Sequence, residues 1–406
     1  MSKAIDESVG IQPTLEGGKQ EDSWLLPADS DIKPVVSVVM PTLNEEAGIA
    51  ECIERVETAL SALQVPGEVV VSDSSTDRTP EIAESMGAIV VEPDKGGYGY
   101  AYQYAFDRVR GDYVVMGDAD TTYDFEAIPR LLQPVLDDEA DICMGSRLEG
   151  EIRDGSMPTL HQYVGNPLLT RFLNAFYDAG VSDAHSGFRV FSREALETLD
   201  LETDGMEFAS EMIMDAGAKG LDIEEVPIVY HEREGEETLD SFQDGWRHVR
   251  FMLINAPGYL FSVPGLVTAA LGGVLMLVAA SGISIGGVSL GTHSMIAGSL
   301  LSIVGFQVVS LGVFATVASD PIRRPSDPVT DWLVEKFRLE RSALAGVLMF
   351  GAGAGYALYL ASRWVSSGFT RLPLFMADII AFTAIVLGLQ VVFSAFFMST
   401  IASDRQ

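Results

Sequence analysis

A mainly parallel α/β domain, an interfacial amphipathic helix and an all-α membrane region of four helices make up the architecture predicted by this 406-residue chain. Three observations predict it. Apolar runs alternate with amphipathic helical segments from Val35 to Met144. No Asp, Glu, Lys or Arg occurs in the 69 residues between Arg250 and Asp320. Charge is split, with 18 basic and 51 acidic side chains through Ile254 against 8 and 7 beyond it, giving −33 and +1.

Residues 1–33 mix acids, Gly, Pro and Ser without periodicity and read as a disordered acidic tail, with no basic-then-apolar leader pattern. Residues 34–240 form the globular domain. Val35 to Met40 reads as a buried strand; Ile49, Cys52, Ile53, Val56, Leu60 and Leu63 follow at helical spacing, and Val69 to Val71 is the next strand. Thr79, Pro80 and Glu81 supply a cap, a first-turn proline and a dipole-matched acid for a helix that Gly87 ends before the strand Ala88 to Val91. Tyr113 to Met116 and Ile142 to Met144 continue the series. Such alternation favours parallel pairing, with ligands at the carboxyl ends of the strands. Cys52 and Cys143, the two cysteines, are too few for a disulfide framework or a zinc cluster and read as small buried hydrophobes.

Over 241–262, Phe242, Trp246, Val249 and Leu253 share one helical face while Arg247, His248 and Arg250 take the other, the pattern of a helix lying in a membrane surface. A span needs about 20 apolar residues. Residues 263–406 therefore hold four spans: Pro264 to Gly286, Ser294 to Ala318, Ser342 to Ser362 and Leu374 to Thr400. An even count puts both termini on one side. The loop Ser319 to Arg341 carries Arg323, Arg324, Lys336, Arg338 and Arg341, against Arg363 and Arg371 in the opposite loop, so the positive-inside rule places the globular domain and both termini in the cytosol.

The acidic balance excludes nucleic acid as the main partner, because phosphate binding needs a basic footprint. Only 6 of the 26 basic residues are Lys, an acid-rich and lysine-poor surface similar to those that stay hydrated in molar salt.

Chemistry concentrates at strand ends. Asp118-Ala119-Asp120 follows the strand Tyr113 to Met116, and two carboxylates one residue apart can grip a divalent cation, Mg²⁺ or Mn²⁺, that also bridges a diphosphate. Pro41-Thr42-Leu43-Asn44-Glu45 ends the first strand, Val71-Ser72-Asp73-Ser74-Ser75-Thr76-Asp77 the second, and Gly145-Ser146-Arg147 follows Met144. This ordered set resembles the family 2 nucleotide-sugar glycosyltransferases, which have the Rossmann-like GT-A fold, over residues 35 to 235. Ser186-Gly187-Phe188-Arg189, Gly205-Met206-Glu207-Phe208, Glu225-Val226-Pro227 and Asp244-Gly245-Trp246-Arg247-His248 are similar to the branch that makes polyprenyl- or dolichyl-phosphate sugars.

The resemblance implies roles by position. Pro41, Leu43, Glu45, Val71 and Asp73 match the wall around the nucleotide base and ribose; Asp118, Ala119 and Asp120 match the metal and diphosphate site. Arg147 matches an arginine near both phosphates, suited to them by its guanidinium fork. Lys95-Gly96-Gly97-Tyr98-Gly99 lies where the family has a glycine-rich helix start, open to two readings: anion-binding amides or a tight turn. His161, His185 and Arg233 are candidates for the acceptor side. The chain departs from the family pattern at Ser72 and Ser74, at Glu207 where mannose synthases often have lysine, and at Glu237-Thr238-Leu239 where many relatives read Ser-Lys-Leu. Gln243-Asp244-Gly245-Trp246-Arg247 is similar to the Gln-x-x-Arg-Trp motif of processive synthases, with the last two residues reversed.

The implied activity is transfer of one hexose, glucose or mannose, from a UDP- or GDP-sugar to dolichyl or polyprenyl phosphate at the cytosolic face of the bilayer, with inversion, for glycan assembly. A processive polysaccharide synthase is the alternative enzyme, and a non-catalytic nucleotide-sugar-binding membrane scaffold the alternative outside enzymes. The acceptor phosphate needs no protein base, so Asp183 and Glu207 are expected to shape the pocket without carrying the essential proton.

A domain of −33 repels itself more strongly as the Debye length grows from about 3 Å at 1 M salt to about 10 Å at 0.1 M. Dialysis from molar salt to 0.1 M should therefore unfold or inactivate the protein, as read by circular dichroism and activity; unchanged folding at 0.1 M would refute the halophilic reading.

Overall fold

The computed structural model describes residues 23–177, 179–233, 241–285, 288–318, 330, 332, 339–370 and 375–403. The apolar runs Val36–Thr42 (β1), Gly67–Asp73 (β2), Ile89–Val91 (β3) and Tyr113–Met116 (β4) pair in parallel. With Ile142–Ile152 (β5), Arg189–Ser192 (β6) and Ile223–Tyr230 (β7) they form a seven-stranded sheet ordered β3-β2-β1-β4-β6-β5-β7, in which β6 is antiparallel to β4 and β5. The sheet is thus mainly parallel, as expected; β6 and β7 had not been anticipated.

Helices cover both faces. Strand side chains alternate in direction, so Val36, Val38, Met40, Val69 and Val71 pack with α1 (Ile49–Leu63), α2 (Thr79–Ser85) and α4 (Ile128–Leu136). Val39, Val70, Val114 and Met116 pack instead with α3 (Tyr98–Phe106), α5 (Asn166–Tyr177), α6 (Arg193–Thr198) and α7 (Phe208–Lys219). Cys52 and Cys143 both lie in the first core, free thiols whose burial pushes their pKa up to about 12.

Two expectations need correction. The disordered tail does not extend over 23–33: Leu25 bridges Gly67, Leu26 N donates to Gly67 O at 2.8 Å, Gly67 N donates to Trp24 O at 2.9 Å, and Leu26 is fully buried. Apolar Trp24, Leu25 and Leu26 interrupt the acidic stretch and satisfy backbone groups at the start of β2. Residues 1–22 lie outside the described residues. The second correction concerns α8 (Ser241–Asn255), where His248, assigned to the polar outward face, packs inward with Phe251 and Met252, while Trp246 is exposed.

After Met252 the chain divides into a second compact unit. It contains α9 (Val263–Ser281), α10 (Thr292–Ala318), α11 (Leu339–Ser366) and α12 (Phe375–Ser403), and four stretches are long and apolar enough to cross a membrane: Gly258–Ser281, Thr292–Ala318, Glu340–Ser366 and Met376–Ile401. A short hairpin, Ser284–Ile285 with Val288–Ser289, follows α9. α9 and α10 meet through glycines: a Cβ on Gly305 would sit 2.3 Å from Ala269 N, and one on Gly272 2.5 Å from Ser302 N. Most of the basic loop Ser319 to Arg341 lies outside the described residues.

Replacing Leu26 by Ala should lower unfolding stability by about 2–5 kcal/mol, the usual cost of truncating a fully buried leucine. Chemical denaturation would measure it; an unchanged midpoint would mean the segment contributes nothing to the fold.

Candidate active site

Strand order reverses direction between β1 and β4, with β2 and β3 to one side and β6, β5 and β7 to the other, so the loops leaving their carboxyl ends part and open a crevice. Glu45 leaves β1, Asp73 ends β2, and Asp118 and Asp120 leave β4. The turn carrying the paired acids is strained, since Thr121 is β-branched yet adopts φ 65°. Thr122 N and Oγ1 both donate to Asp120 Oδ1, which fixes that carboxylate.

Three carboxylates converge here. Asp118 Oδ1 accepts from Tyr98 Oη at 2.9 Å and Tyr102 Oη at 3.4 Å. Burial, and then the charge of Asp120, push the Asp118 carboxyl up to about 6. Burial also pushes Glu45 up to about 7 against the pull of Arg233, with Asp120 and Asp118 adding to the rise. Arg233 Nη2 donates to Glu45 Oε1, and its Nη1 lies 3.6 Å from Asp120 Oδ2. Negative charge is therefore under-compensated at Asp118 and Asp120, a setting that a divalent cation would relieve. Among the described residues no group of three or more His, Cys, Asp or Glu is poised to hold an ion. The pair thus fits a cation whose remaining ligands are water and substrate phosphate, the usual magnesium arrangement, and not a cage built by the protein alone.

Arg147 sits where the β5–β7 register shifts between Ser146 and Glu151. The guanidinium is buried and committed to Asp183: Nε to Oδ2 at 2.7 Å, Nη2 to Oδ1 at 2.8 Å, with the backbone N also on Oδ2 at 3.0 Å. It lies 5.3 Å from the Tyr230 ring centroid. The fork expected to grip phosphate is therefore occupied, and the Arg147 charge holds the Asp183 carboxyl below its usual range in spite of burial.

The remaining sequence candidates divide. Pro41 is half-buried and Leu43 is 58% exposed, so both can line an open wall. Val71 is fully buried in the core and cannot present its side chain to a ligand; Ala119 is likewise buried. Asp73 Oδ1 accepts from Thr42 Oγ1 at 2.7 Å and from Ser75 Oγ at 2.6 Å, which ties the first two strand-end loops together. His161 opens the turn His161–Gly165 before α5 and has no part in the carboxylate–arginine network described above. Glu207 precedes α7, with its carbonyl accepting from Glu211 N. Glu237-Thr238-Leu239 lies outside the described residues.

The two readings of Lys95 to Gly99 are decided in favour of the tight turn. Gly99 N and Tyr100 N both donate to Asp204 O, Lys95 Nζ pairs with Asp204 Oδ2 at 3.0 Å, and a Cβ on Gly99 would meet Thr203 O at 2.1 Å. These amides are already satisfied, and the glycines permit close approach of two loops.

Sequence reasoning missed Tyr98 and Tyr102 as supports of Asp118, although their i, i+4 spacing puts them on one helical face. Arg189, which closes the Ser186-Gly187-Phe188-Arg189 motif, is fully buried with its Nε on Ser186 O at 3.0 Å and its Nη2 on Ala184 O at 3.1 Å. Tyr123 Oη accepts from Gly187 N at 2.8 Å, linking that loop to the acidic turn.

Residues 37–200 match the family described as "Glycosyl transferase family 2", and residues 313–402 match its "C-terminal transmembrane region". The low-salt glycan biosynthesis hexosyltransferase Agl6 of Haloferax volcanii is 61% identical over 94% of this chain and 92% of its own length. A dolichyl-phosphate hexose transferase of the same organism is 35% identical over 52% of this chain and 89% of its own. Among solved structures, glucosyl-3-phosphoglycerate synthase from Mycobacterium tuberculosis, with Mn²⁺ and UDP, covers 54% of this chain and 79% of its own at 27% identity and a TM-score of 0.44.

A carboxyl whose folded pKa is raised weakens the fold above that pKa, and the cost fades as pH falls through it. In chelator, Asp118→Asn should therefore melt higher than the parent at pH 8, with the advantage shrinking as pH falls from about 7 toward 4. Equal melting temperatures at pH 8 would show that the acid is not destabilising.

Proposed function

The chain belongs to glycosyl transferase family 2, and from that premise we propose that it moves one hexose from a UDP- or GDP-sugar to the phosphate of dolichol or another polyprenol, inverting the anomeric centre. The observation that carries this reading is the Asp118–Asp120 pair at the β1/β4 switch point, with charge left for a diphosphate-bound cation to offset. Four apolar helices support a lipid acceptor, as do relatives named for hexosyl transfer and dolichyl phosphate.

A further feature of the domain agrees with work at a bilayer. Residues 155–177 form its longest stretch without Asp or Glu, 23 residues in a chain otherwise dense with acid. Leu160, Tyr163, Val164 and Leu168 are exposed on it at helical spacing, while Thr170, Leu173 and Tyr177 are buried. An apolar, acid-free face suits contact with lipid. The basic loop between the second and third spans supports a cytosolic catalytic domain and cytosolic termini.

Asp118 and Asp120 would hold Mg²⁺ or Mn²⁺. Bound there, the ion supplies charge neutralisation for the departing nucleoside diphosphate. Pro41, Leu43, Glu45 and Asp73 border the base and ribose, the last by fixing the loops that do so. Arg233 can exchange Glu45 and Asp120 for phosphate oxygens once ligands arrive, which makes it the better candidate for a phosphate clamp. Arg147, committed to Asp183, contributes a fixed positive charge.

The acceptor is a phosphate monoester with a second pKa of about 6, already ionised near neutral pH. Its oxygen attacks the anomeric carbon as the bond from that carbon to the donor diphosphate breaks, and the electron pair leaves with the diphosphate. No proton has to be removed. Asp183 is unsuited to take one in any case, since Arg147 holds its carboxyl low. In-line displacement turns an α-linked donor into a β-linked lipid phosphate.

The full chain in molar salt, given dolichyl phosphate and a panel of UDP- and GDP-hexoses, should yield a lipid bearing a single β-linked sugar by NMR. Asp120→Asn should lower turnover by about 10²–10³-fold, and chelator should abolish it. A product that grows in length, an α linkage, or full turnover in chelator would overturn the reading.

A further inference from the structure

The segment Asp183 to Gly187 touches both halves of the crevice. Asp183 holds Arg147 at 2.7 and 2.8 Å. Four residues on, a Cβ on Gly187 would sit 3.1 Å from Asp118 Oδ2 and 3.2 Å from Tyr98 Oη, so this backbone passes close to Asp118 and its phenol partner. Between the two lies His185, which enters none of the contacts of the proposed reaction.

His185 has a specific partner set. Ser210 on α7 is fully buried, and its Oγ lies 3.3 Å from His185 Nε2 and 3.1 Å from His248 Nδ1 on α8. The two imidazole rings stand edge to face with centroids 4.8 Å apart. One hydroxyl can donate to one ring nitrogen and accept from the other, so it joins three elements in a single chain of hydrogen bonds. Burial pushes His185 down to about 3, with His248 lowering it further, so the ring is neutral and supplies geometry and not charge. α8 is also the last helix of the catalytic unit before the first apolar helix begins.

We infer that His248 is a positioning residue, which acts through Ser210 and His185 to hold the Asp183–Gly187 segment, and so Arg147 and Asp118, in register for transfer. The inference rests on the transferase reading above. A displacement of about 1 Å at reacting groups can cost ~10²-fold in rate, so the contact matters without touching substrate.

The test compares His248→Ala, Ser210→Ala and His248→Asn in the full-length protein in molar salt. The Asn carbonyl can take the place of Nδ1 as an acceptor from Ser210. Two readouts are taken on protein that remains folded by circular dichroism: steady-state kinetics, and amide hydrogen exchange of the peptide spanning Asp183 to Arg189. The two Ala variants should lower kcat by about 10- to 100-fold with the KM for nucleotide sugar little changed, and should speed exchange in that peptide but not in β1 or β2. His248→Asn should recover most of both. Unchanged exchange in the Ala variants, a loss confined to melting temperature, or no recovery with Asn would overturn the relay. If the parent protein itself shows no hexosyl transfer, the transferase reading fails, while the exchange data still decide whether the relay holds the segment.

Discussion

Scarcity of positive charge constrains this catalytic domain more than any other physical condition. With 18 bases against 51 acids, it leaves most of its carboxylates without a cation of their own. Arginine is spent selectively: Arg147 on Asp183, and Arg110 on Glu68, which is fully buried and also accepts from Ser37 Oγ. Elsewhere neutral donors substitute. Glu225 accepts from the amides of Ser182 and Asp183, Glu211 from those of Glu202 and Thr203, and Asp73 from two hydroxyls. Such hydrogen bonds satisfy buried acceptor oxygens without a counter-charge.

At the crevice neutral donors are present too, Thr122 N and Oγ1 on Asp120 among them, but the acids there lean on one arginine, Arg233. Asp118 has two phenols for company, and Asp120 and Glu45 share one half-exposed arginine. Glu45 and Asp118 consequently resist ionisation, close to a turn in which the β-branched Thr121 has positive φ. Local rules are broken where a ligand would complete the site, which is the common relation between strain and function.

Much of the architecture was legible because it rests on local pattern. β1 to β5 and the four apolar helices are runs that periodicity or length reveals. β6 was not, since Arg189–Ser192 is four residues long with a charged start, nor β7, whose acids and Pro227 disguise it. Asp118 and Asp120 could be found from spacing and strand position. The commitment of Arg147 to Asp183 could not, because 36 residues separate them and only the folded sheet brings them together. Val71 failed for the converse reason: a strand-end position says little about which face its side chain takes. The membrane helices hide their contacts in the same way, since glycines at 265, 272, 298 and 305 look like weak helix formers until the close backbone approach is seen.

The bridge at Trp24 to Leu26 also sets a direction. It is made to Gly67, the first residue of β2, whereas Asp73 at the other end of the strand borders the crevice. The two are the ends of a seven-residue strand, roughly 20 Å apart. A fluorophore, affinity handle or surface tether joined just ahead of Ser23 therefore starts from the side of the sheet remote from the catalytic mouth, so the enzyme could be immobilised by that end with its crevice left facing the solution.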